Sequence, residues 1–354
     1  MRRGPLFIWF VRWLPVLLHF WFVRWLPVFL LAVAAGACTS PSQPSISETA
    51  RPQHRDAVNR EPLSPLGRAP RIDARRVSLG RRLFGDKRLS SDDTIACSSC
   101  HDLANGGDDG QSLSRGVEGR VGHVNAPTVF NASLNFALFW DGRAKTLEEQ
   151  VDGPVTNPLE MNSVWNDVIV KLLGDASYVR LFREAFDDGL SPQHVREAIA
   201  AFERTLLTPD SPFDRWLVGD STAMNADQKE GYETFKNMGC VACHQGVNVG
   251  GNMFQRFGVL GDYFKDRGNI SAADYGRFNV THNEADRHVF RVPSLRNVEQ
   301  TAPYFHDGSA QTLRQAIAVM AKYQLGRSLG DRQVEVIEAF LRSLSGPVAQ
   351  GTAL

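Results

Sequence analysis

The residues with the clearest chemistry in this sequence form two short strings of the same pattern. The first reads Cys-Ser-Ser-Cys-His from residue 97, and the second reads Cys-Val-Ala-Cys-His from residue 240. In such a string the two thiols can form thioethers with the vinyl groups of a haem, and the adjacent histidine can bind the iron. The sequence therefore predicts two covalently bound haem c groups, held by Cys97, Cys100, His101, Cys240, Cys243 and His244.

Two other kinds of site also use Cys-x-x-Cys pairs. A structural zinc site can be built from two such pairs, but the second string here starts 143 residues after the first, and zinc pairs usually lie closer together. A thioredoxin-like redox pair needs a strand–helix context, which surrounds neither string. Haem attachment is the interpretation that both strings favour.

We expect each haem to be held by a small domain of its own. The apolar residues of the chain recur mostly at helical intervals. Helical patterns follow Ser191-Pro192 and Asp331, and a third helix is predicted from Asn225 to Met238, running toward the second string. Long alternating strand patterns are absent, and the stretches 104–128 and 245–285 are predicted to be long loops that wrap haem. We therefore predict a mainly α fold with two haem domains in one chain, residues 71–209 and 210–346, followed by a tail over 347–354.

The N-terminal segment has a different composition. Residues 1–37 are rich in Leu, Phe, Trp, Val and Ala, contain no acidic residue, and end in an Ala-x-Ala pattern at Ala35–Ala37. This predicts an export signal and a periplasmic protein, in agreement with haem attachment outside the bacterial cytoplasm. Cys38 follows directly, so a lipid anchor on Cys38 and a spare thiol both stay open. An uncleaved membrane anchor is the alternative, but Arg12 and Arg24 interrupt the span.

Charge and composition exclude a nucleic-acid-binding role. The chain carries 39 basic and 39 acidic residues, and the leader contributes four of the arginines. Without the leader the chain holds 35 basic and 39 acidic residues, a net charge of −4, and nothing in it indicates nucleic-acid binding. Residues 38–70 are rich in Ser, Pro, Gln and Arg, which predicts a flexible linker.

Beyond the haem strings, five stretches make the chain resemble the bacterial di-haem cytochrome c peroxidase family over roughly residues 72–346. They are Asn125–Thr128, Phe139–Arg143, Asn283–Arg287, Val292–Asn297 and Pro303–Gly308. The resemblance implies two cytochrome c-like domains with a calcium ion between them, and a homodimer. It also implies reduction of hydrogen peroxide to water, with electrons from a small soluble donor such as a cytochrome c or a cupredoxin.

The resemblance assigns different roles to the two haems. The haem on the first string would react with peroxide, and the haem on the second would receive electrons. The family pattern places a sixth iron ligand for the second haem on Met320, since a thioether raises the potential of an electron-transfer haem. Met320 as a plain core residue is the alternative, and Met253 is a weaker candidate ligand.

The same resemblance supplies the other site residues. Glu160 matches the acid–base group beside the peroxide-binding position, Gln150 matches the glutamine that accompanies it, and Trp140 matches the tryptophan between the haems. Glu148 and Glu149 are near in sequence but fall at a helix start, where solvation is expected. The calcium ligands implied by the family are Asn125, Thr301 and Pro303, an oxygen set of the kind that calcium prefers.

One position departs from the family pattern. Many members carry a histidine that occupies the peroxide-binding position in the resting state, and here Val117 stands in its place. Valine cannot bind iron, and His123 could substitute only if the loop were rebuilt. We therefore expect the N-terminal haem to be open without reductive activation.

Two other functions stay open on the sequence. A related branch of the family oxidises residues of a partner protein and has Tyr in place of the distal Met; Met320 argues against that branch, although Tyr323 is close and Val117 is compatible with it. A non-catalytic di-haem electron carrier is the other alternative, in which Glu160 and Gln150 would have no task.

Overall fold

The computed structural model of this chain describes residues 61–348. The predicted export signal, Cys38 and most of the predicted linker lie outside these residues, as do residues 349–354 of the predicted tail. Between residues 61 and 348, no helix is long and apolar enough to cross a membrane.

Helices dominate the described residues, as the sequence predicts. In chain order they are α1 (Ala74–Phe84), α2 (Leu147–Thr156), α3 (Trp165–Leu173), α4 (Ala176–Ala185), α5 (Pro192–Glu203), α6 (Pro212–Leu217), α7 (Ala226–Met238), α8 (Tyr263–Arg267), α9 (Phe278–Thr281), α10 (Leu313–Val319) and α11 (Asp331–Arg342). One π-helical turn, Met320–Gln324, follows α10. Short 3-10 turns cover Lys87–Leu89, Cys97–Ser99, Val117–Gly119, Ala132–Leu134, Cys240–Ala242, Ala272–Tyr275, Glu284–Asp286 and Val298–Gln300.

The three helices predicted individually begin where their sequence signals stand. Ser191 caps α5 by accepting a hydrogen bond from the His194 backbone N–H, and Pro192 occupies the first turn. Asn225 caps α7 in the same way, and α11 starts at Asp331. These predictions are confirmed.

Each half of the chain is built around one tightly crossed helix pair. Helix α1 packs on α5, and α7 packs on α11. At both crossings a glycine allows the backbones to touch: a Cβ on Gly80 would lie 1.8 Å from the Ala198 carbonyl oxygen, and one on Gly231 would lie 1.8 Å from that of Val336. Side chains larger than hydrogen at these two positions would separate the helices.

The buried apolar residues form two main clusters. One draws its buried members from residues 79–206, and the other from residue 63 and residues 213–344. The predicted domain boundary at residues 209 and 210 falls between the two sets, and the domain limits themselves stay a prediction.

A short β-ribbon replaces part of one predicted loop. Strand β1 (Phe254–Arg256) pairs antiparallel with β2 (Val289–Arg291), with Phe254 opposite Arg291. Helices α8 and α9 also fall within the stretch predicted as a loop over 245–285. That prediction is corrected here, because buried aromatic residues such as Phe264 and Phe290 give the segment a small core of its own.

The two halves share a local construction that the sequence analysis missed. Isolated bridges join Leu138 to Ala144 in the first half and Tyr304 to Ala310 in the second. Phe139 and Phe305 sit at the same place in these two turns, both with a left-handed backbone (φ 67° and 72°). Each turn leads into a threonine-capped helix, α2 or α10. Trp140 and His306 therefore occupy equivalent positions in the two halves.

The end of the predicted linker is packed rather than free. Leu63 is only 1% exposed and pairs with Gly246, and the Leu66 N–H donates to Asp214. Arg296 donates to both carboxylate oxygens of Asp214, at 2.9 and 3.0 Å, and to the Ser64 carbonyl. Apolar Leu63 and Leu66 explain the docking, since each buries a side chain that a solvated linker would expose.

Loss of the Asp214 charge should destabilise the protein strongly, because it would leave the buried Arg296 guanidinium without a counter-charge. We expect Asp214→Asn to lower the free energy of unfolding by about 3–5 kcal/mol in chemical denaturation. Asp227→Asn is the matched control, since Asp227 pairs with Arg332 on the surface, and its cost should be about 0–1 kcal/mol. Equal losses in the two variants would contradict a structural role for the buried pair.

Candidate haem sites and the region between them

The second Cys-x-x-Cys-His string borders a large, mostly apolar cavity. Cys240, Cys243 and His244 line it from one side, beside the end of α7, and Met320 lines it as well. Its empty space, counted with the mouth that opens to solvent, is about 1740 Å³. The thiols and the histidine that the sequence predicts as haem ligands thus meet at a cavity suited to a large apolar group.

The side chains around this cavity fit a covalently bound haem. All four cysteines of the two strings are free thiols, so none is tied up in a disulfide. Burial raises the pKa of Cys240 to about 11 and lowers the pKa of His244 to about 4. The Nδ1 atom of His244 is buried and makes no hydrogen bond to a described residue, and the backbone of Val249 and Pro293 acts against the effect of burial on the His244 pKa. A neutral imidazole is the form that binds iron.

Met320 opens the π-helical turn that follows α10, a kind of irregularity common at functional sites. Its side chain is half-buried and faces the same cavity as His244. Tyr323 does not line this cavity; its hydroxyl donates to Asp266 at 3.0 Å and accepts from Lys322. Met253 lies off the cavity lining too. Of these three side chains, only Met320 is placed to approach a group held by His244.

The first string lies against the core of the N-terminal half. Cys97 packs on the buried cluster that contains Phe84, and the His101 ring lies 6.4 Å from the Phe84 ring. His101 Nδ1 lies 3.1 Å from the Gly107 carbonyl oxygen. If Nδ1 carries the proton, that bond fixes the ring and leaves Nε2 as the free nitrogen for iron, as is usual for metal-binding histidines.

Glu160 lies beside this first string. Burial raises the pKa of the Cys100 thiol to about 11, and the charges of Asp109 and Glu160 add to the effect, so Glu160 lies within electrostatic range of that sulfur. Asn157 donates to Glu160 Oε1 at 2.6 Å and fixes the side chain. Burial raises the pKa of Glu160, while Asn157 and the charge of Arg143 act in the opposite direction. A carboxyl group held in this way could take up and release a proton beside a group bound to the first string.

The loop that departs from the family pattern packs directly on Glu160. Val117 is 1% exposed, and its N–H donates to the Glu160 carbonyl oxygen at 2.8 Å. Gly116 allows this approach, since a Cβ there would lie 2.4 Å from the same oxygen. His123 is exposed on the surface of the loop. The structure therefore places a valine next to the acid–base candidate and leaves His123 exposed on the loop.

Three further carboxylates of the N-terminal half have clear positions. Glu203, at the end of α5, is buried beside Cys97, and burial raises its pKa to about 8. Glu203 carries no signal in the sequence, because its helical position resembles any core position. Glu148 pairs with Arg204 at the start of α2, and Glu149 is exposed there. Gln150 is half-buried on α2, and its side chain makes no hydrogen bond to a described residue.

Trp140 lines the cavity of the second string and contacts one of the predicted calcium ligands, Asn125. Its indole N–H donates to the Asn125 carbonyl oxygen at 2.9 Å, and its ring meets the His306 ring edge-on at 6.4 Å. The Asn125 N–H donates to the His306 carbonyl in turn. Trp140, Asn125, Thr301 and Pro303 all line the cavity of the second string. The structure thus brings these four predicted residues together.

His306 is held by a network of charges. Asp274, His306 and Asp307 place potential metal-ligand atoms within 4.8 Å of one another. Arg267 pairs with both carboxylates, and His306 Nε2 lies 2.7 Å from Asp274 Oδ1. Burial raises the pKa of Asp274, but the hydrogen bonds from His306 and Arg267 outweigh it and hold the pKa well below its usual range. The cluster is a compensated ion-pair network rather than an open metal site.

Asp108 is a buried carboxylate that the sequence analysis also missed. It is 1% exposed, and neither of its carboxylate oxygens has a hydrogen-bond partner in the described part of the chain. Burial, with a smaller effect from Asp109, raises its pKa to about 7. Its Oδ1 and the Gln300 carbonyl both lie beside Gly106, next to the segment that carries Thr301.

Comparison with known proteins gives consistent matches. A sequence model described as di-haem cytochrome c peroxidase matches residues 74–222. Cytochrome c551 peroxidase of Nitrosomonas europaea is 46% identical over 288 residues, which are 81% of this chain and 84% of that protein. Cytochrome c peroxidase Ccp of Escherichia coli (strain K12) is 48% identical over 301 residues, which are 85% of this chain but only 63% of the relative's length.

A solved structure shows the same architecture. The crystal structure of a MauG-like protein associated with microbial copper homeostasis superposes with a TM-score of 0.70 at 27% identity. The match covers 87% of this chain and 98% of that chain. The mainly α fold predicted from the sequence is therefore confirmed by the helices of the described residues and by a solved relative.

Proposed function

The chain belongs to the di-haem cytochrome c peroxidase family, and from this premise we propose that it reduces hydrogen peroxide to water with electrons from a small soluble donor protein. The observation that carries the proposal is the difference between the two haem sites. Glu160 lies beside the first string, whereas Met320 faces the cavity of the second string. An acid–base group suits a haem that reacts with substrate, and a thioether ligand suits a haem that only transfers electrons.

The reaction consumes hydrogen peroxide, two electrons and two protons, and it yields two molecules of water. When bound, the haems supply the iron that takes up peroxide and the sites through which the electrons pass. Glu160 would accept the proton from one peroxide oxygen and return it to the oxygen that leaves, while Asn157 keeps the carboxylate in place. His101 and His244 would hold the two irons, with Gly107 orienting the His101 ring.

Trp140 supplies the path by which electrons would cross between the two halves. It lies at the cavity of the second string and is fixed at the Asn125 carbonyl and the His306 ring. Electrons would enter at the second string from a reduced cytochrome c or a cupredoxin. Gln150 would assist Glu160, as the family pattern implies.

Val117 supports an N-terminal haem that is open without prior reduction. The family pattern places an iron-binding histidine at this position, but valine offers no ligand atom, and the Val117 N–H donates to the Glu160 carbonyl. His123 is exposed on the same loop. We propose that peroxide can bind to the fully oxidised protein.

Steady-state kinetics test the proposed reaction. Purified full-length protein carrying both haems is mixed with hydrogen peroxide and reduced cytochrome c or reduced cupredoxin, and oxidation of the donor is followed. Fast turnover, with two donor molecules oxidised per peroxide, is the expected result. Negligible turnover with either donor would favour a non-catalytic electron carrier and would contradict the proposal.

Oxidation of a partner protein's residues is less favoured than peroxide reduction. That branch of the family uses Tyr at the distal position of the second haem, where this chain presents Met320 to the cavity. Tyr323 has its hydroxyl engaged by Asp266 and Lys322 and stays off the cavity lining.

We also propose a calcium ion between the two halves, held by Asn125, Thr301 and Pro303 as the family pattern implies. These residues lie on one cavity. They would offer the ion only neutral oxygens, and calcium sites usually include carboxylates. Buried Asp108, with both oxygens unpartnered beside the Gln300 carbonyl, fits the missing negative charge of such a site.

Calcium removal should slow turnover, because Asn125 also accepts the hydrogen bond of Trp140. We expect a chelator to lower the rate reversibly and added calcium to restore it. Asp108→Asn should weaken calcium affinity about tenfold or more, as measured by competition with a fluorescent chelator. The exposed neighbour Asp102 provides the control variant Asp102→Asn. Wild-type protein that binds no calcium in this assay would contradict the proposed site.

The predicted export signal and Cys38 support a periplasmic location, with a lipid tether on Cys38 as an option. We propose a homodimer in line with the family pattern. Size-exclusion chromatography with light scattering tests the dimer, and mass spectrometry of the mature N-terminus tests cleavage and lipidation.

A further inference from the structure

Arg291 is a buried cation without a counter-charge in the described part of the chain. It is 4% exposed, at the end of strand β2. Its Nε donates to the Phe139 carbonyl at 3.2 Å, and its Nη1 lies 3.5 Å from the Val292 carbonyl. No carboxylate between residues 61 and 348 forms an ion pair with it, and burial alone lowers its pKa to about 10. An unpaired buried charge is costly, so the fold retains Arg291 at an unexplained penalty.

Arg296, the other buried arginine of the described residues, has the counter-charge that Arg291 lacks. Arg296 is equally buried, but it makes two hydrogen bonds to the carboxylate of Asp214. The difference between the two is their position. Arg296 is enclosed by protein, whereas Arg291 lines the cavity of the second haem string together with Cys243 and His244.

The β-ribbon fixes Arg291 at this cavity. Its backbone N–H donates to the Trp140 carbonyl at 2.9 Å, and the Phe254 strand pairs with it on the other side. Gln255, next on that strand, places its amide 3.8 Å from the Cys243 sulfur. Arg291 and Cys243 thus line one cavity, in which the haem bonded to that sulfur would lie. Haem c carries two propionate carboxylates, the chemical group that pairs best with a buried guanidinium.

We infer that Arg291 binds a propionate carboxylate of the haem attached to Cys240 and Cys243. This inference rests on the proposed function, which places a haem on the second string. It assigns a ligand to Arg291, a residue that the family pattern leaves without a role. The negative charge of a propionate stabilises the oxidised iron. A cation paired with the propionate cancels this charge and so disfavours oxidation of the iron. Arg291 therefore raises the reduction potential of the electron-entry haem. Its link to the Trp140 backbone places the same residue beside the path toward the first haem.

The test measures the midpoint potential of each haem in full-length protein with both haems bound, without peroxide or donor. Arg291→Gln should shift the reduction equilibrium of the second haem toward the oxidised form about tenfold or more, which is 59 mV for one electron. The first haem should be unchanged. Arg277→Gln is the matched control, because Arg277 lies over the Phe254 ring and donates to the Asp141 carbonyl but does not line the cavity.

Equal potentials in wild type, Arg291→Gln and Arg277→Gln would overturn the assignment. If Arg291→Gln does not retain the second haem, Arg291→Lys decides, because it keeps the charge. We expect the lysine variant to bind both haems with a second-haem equilibrium within about threefold of wild type. Haem loss in the lysine variant as well would show that Arg291 acts by packing alone and would overturn the assignment.

A free anion from solution could also pair with Arg291. Exchange of salts distinguishes such an anion from the haem propionate. Replacing chloride with perchlorate at constant ionic strength should leave the wild-type potential unchanged if the partner is the propionate. A wild-type potential that follows the chloride concentration, with no such response in Arg291→Gln, would assign the site to a free anion instead. Since no step here needs turnover, absent peroxidase activity would contradict the proposed function without affecting this result.

Discussion

Glu160→Gln should abolish peroxide turnover while both haems remain bound. Glutamine keeps the size of the side chain and its contact with Asn157, but it cannot accept a proton from peroxide or return it. General acid–base catalysis of this kind contributes about 10²–10⁴-fold, so a loss of that order in kcat/KM for peroxide is expected. Absorption spectra and haem content of the variant should match those of the wild type.

The control for this variant is Glu149→Gln, a carboxylate near in sequence that is exposed at the start of α2. Its turnover should stay within about twofold of wild type. Unchanged activity of Glu160→Gln would remove Glu160 from the mechanism. Equal losses in the two variants would point to a general effect on the N-terminal half.

The pH profile gives an independent signature of the same group. Burial raises the pKa of Glu160, and a proton acceptor must be ionised to act. The rate should therefore fall as the pH is lowered through this raised pKa, and the acid limb should lie above the ordinary glutamate value of about 4.3. The acid limb should be absent from the residual activity of Glu160→Gln.

Met320→His should lower the reduction potential of the second haem and leave the first unchanged. Histidine favours the oxidised iron relative to a thioether, and axial ligands span roughly 0.8 V in haem proteins. We expect a decrease on the order of a few hundred millivolts in a spectroelectrochemical titration. Electron entry from the donor should become slower in consequence.

Met253→Leu is the control for the methionine experiment, because Met253 is close in sequence to the second string but does not line its cavity. Neither potential should move in that variant. A second-haem potential that responds to Met253→Leu and not to Met320→His would exchange the roles of the two methionines. A lack of response in both would exclude these two methionines as ligands of the second haem.

Local sequence signals predicted the parts of the fold that depend on neighbouring residues. Ser191 and Asn225 cap their helices because a side-chain oxygen meets a backbone N–H only three residues away. The two haem strings are equally local. The packed end of the predicted linker was missed, because the partners of Leu63 and Leu66 are near residues 246 and 214, far away in the chain.

The residues of the candidate site also differ in whether the sequence or only the structure reveals them. Glu160 and Met320 were identified only through family resemblance, and the structure adds the reason for their difference by placing them at different strings. Asp108 and Arg291 carry no local signal, because a buried charge without a partner is recognisable only after its surroundings are known. Val117 replaces the iron-binding histidine that the family pattern implies, and the sequence alone shows that replacement. The hydrogen bond from the Val117 N–H to the Glu160 carbonyl could not be predicted from residue spacing.

The most direct test of two unlike haem sites is a redox-resolved absorption and EPR spectrum of the purified full-length protein, recorded with and without peroxide. Two c-type haems per chain are expected, one open in the fully oxidised state and altered by peroxide, the other six-coordinate and unaffected. A colourless protein, a single haem, or a first haem closed by two histidines in the oxidised state would contradict this arrangement.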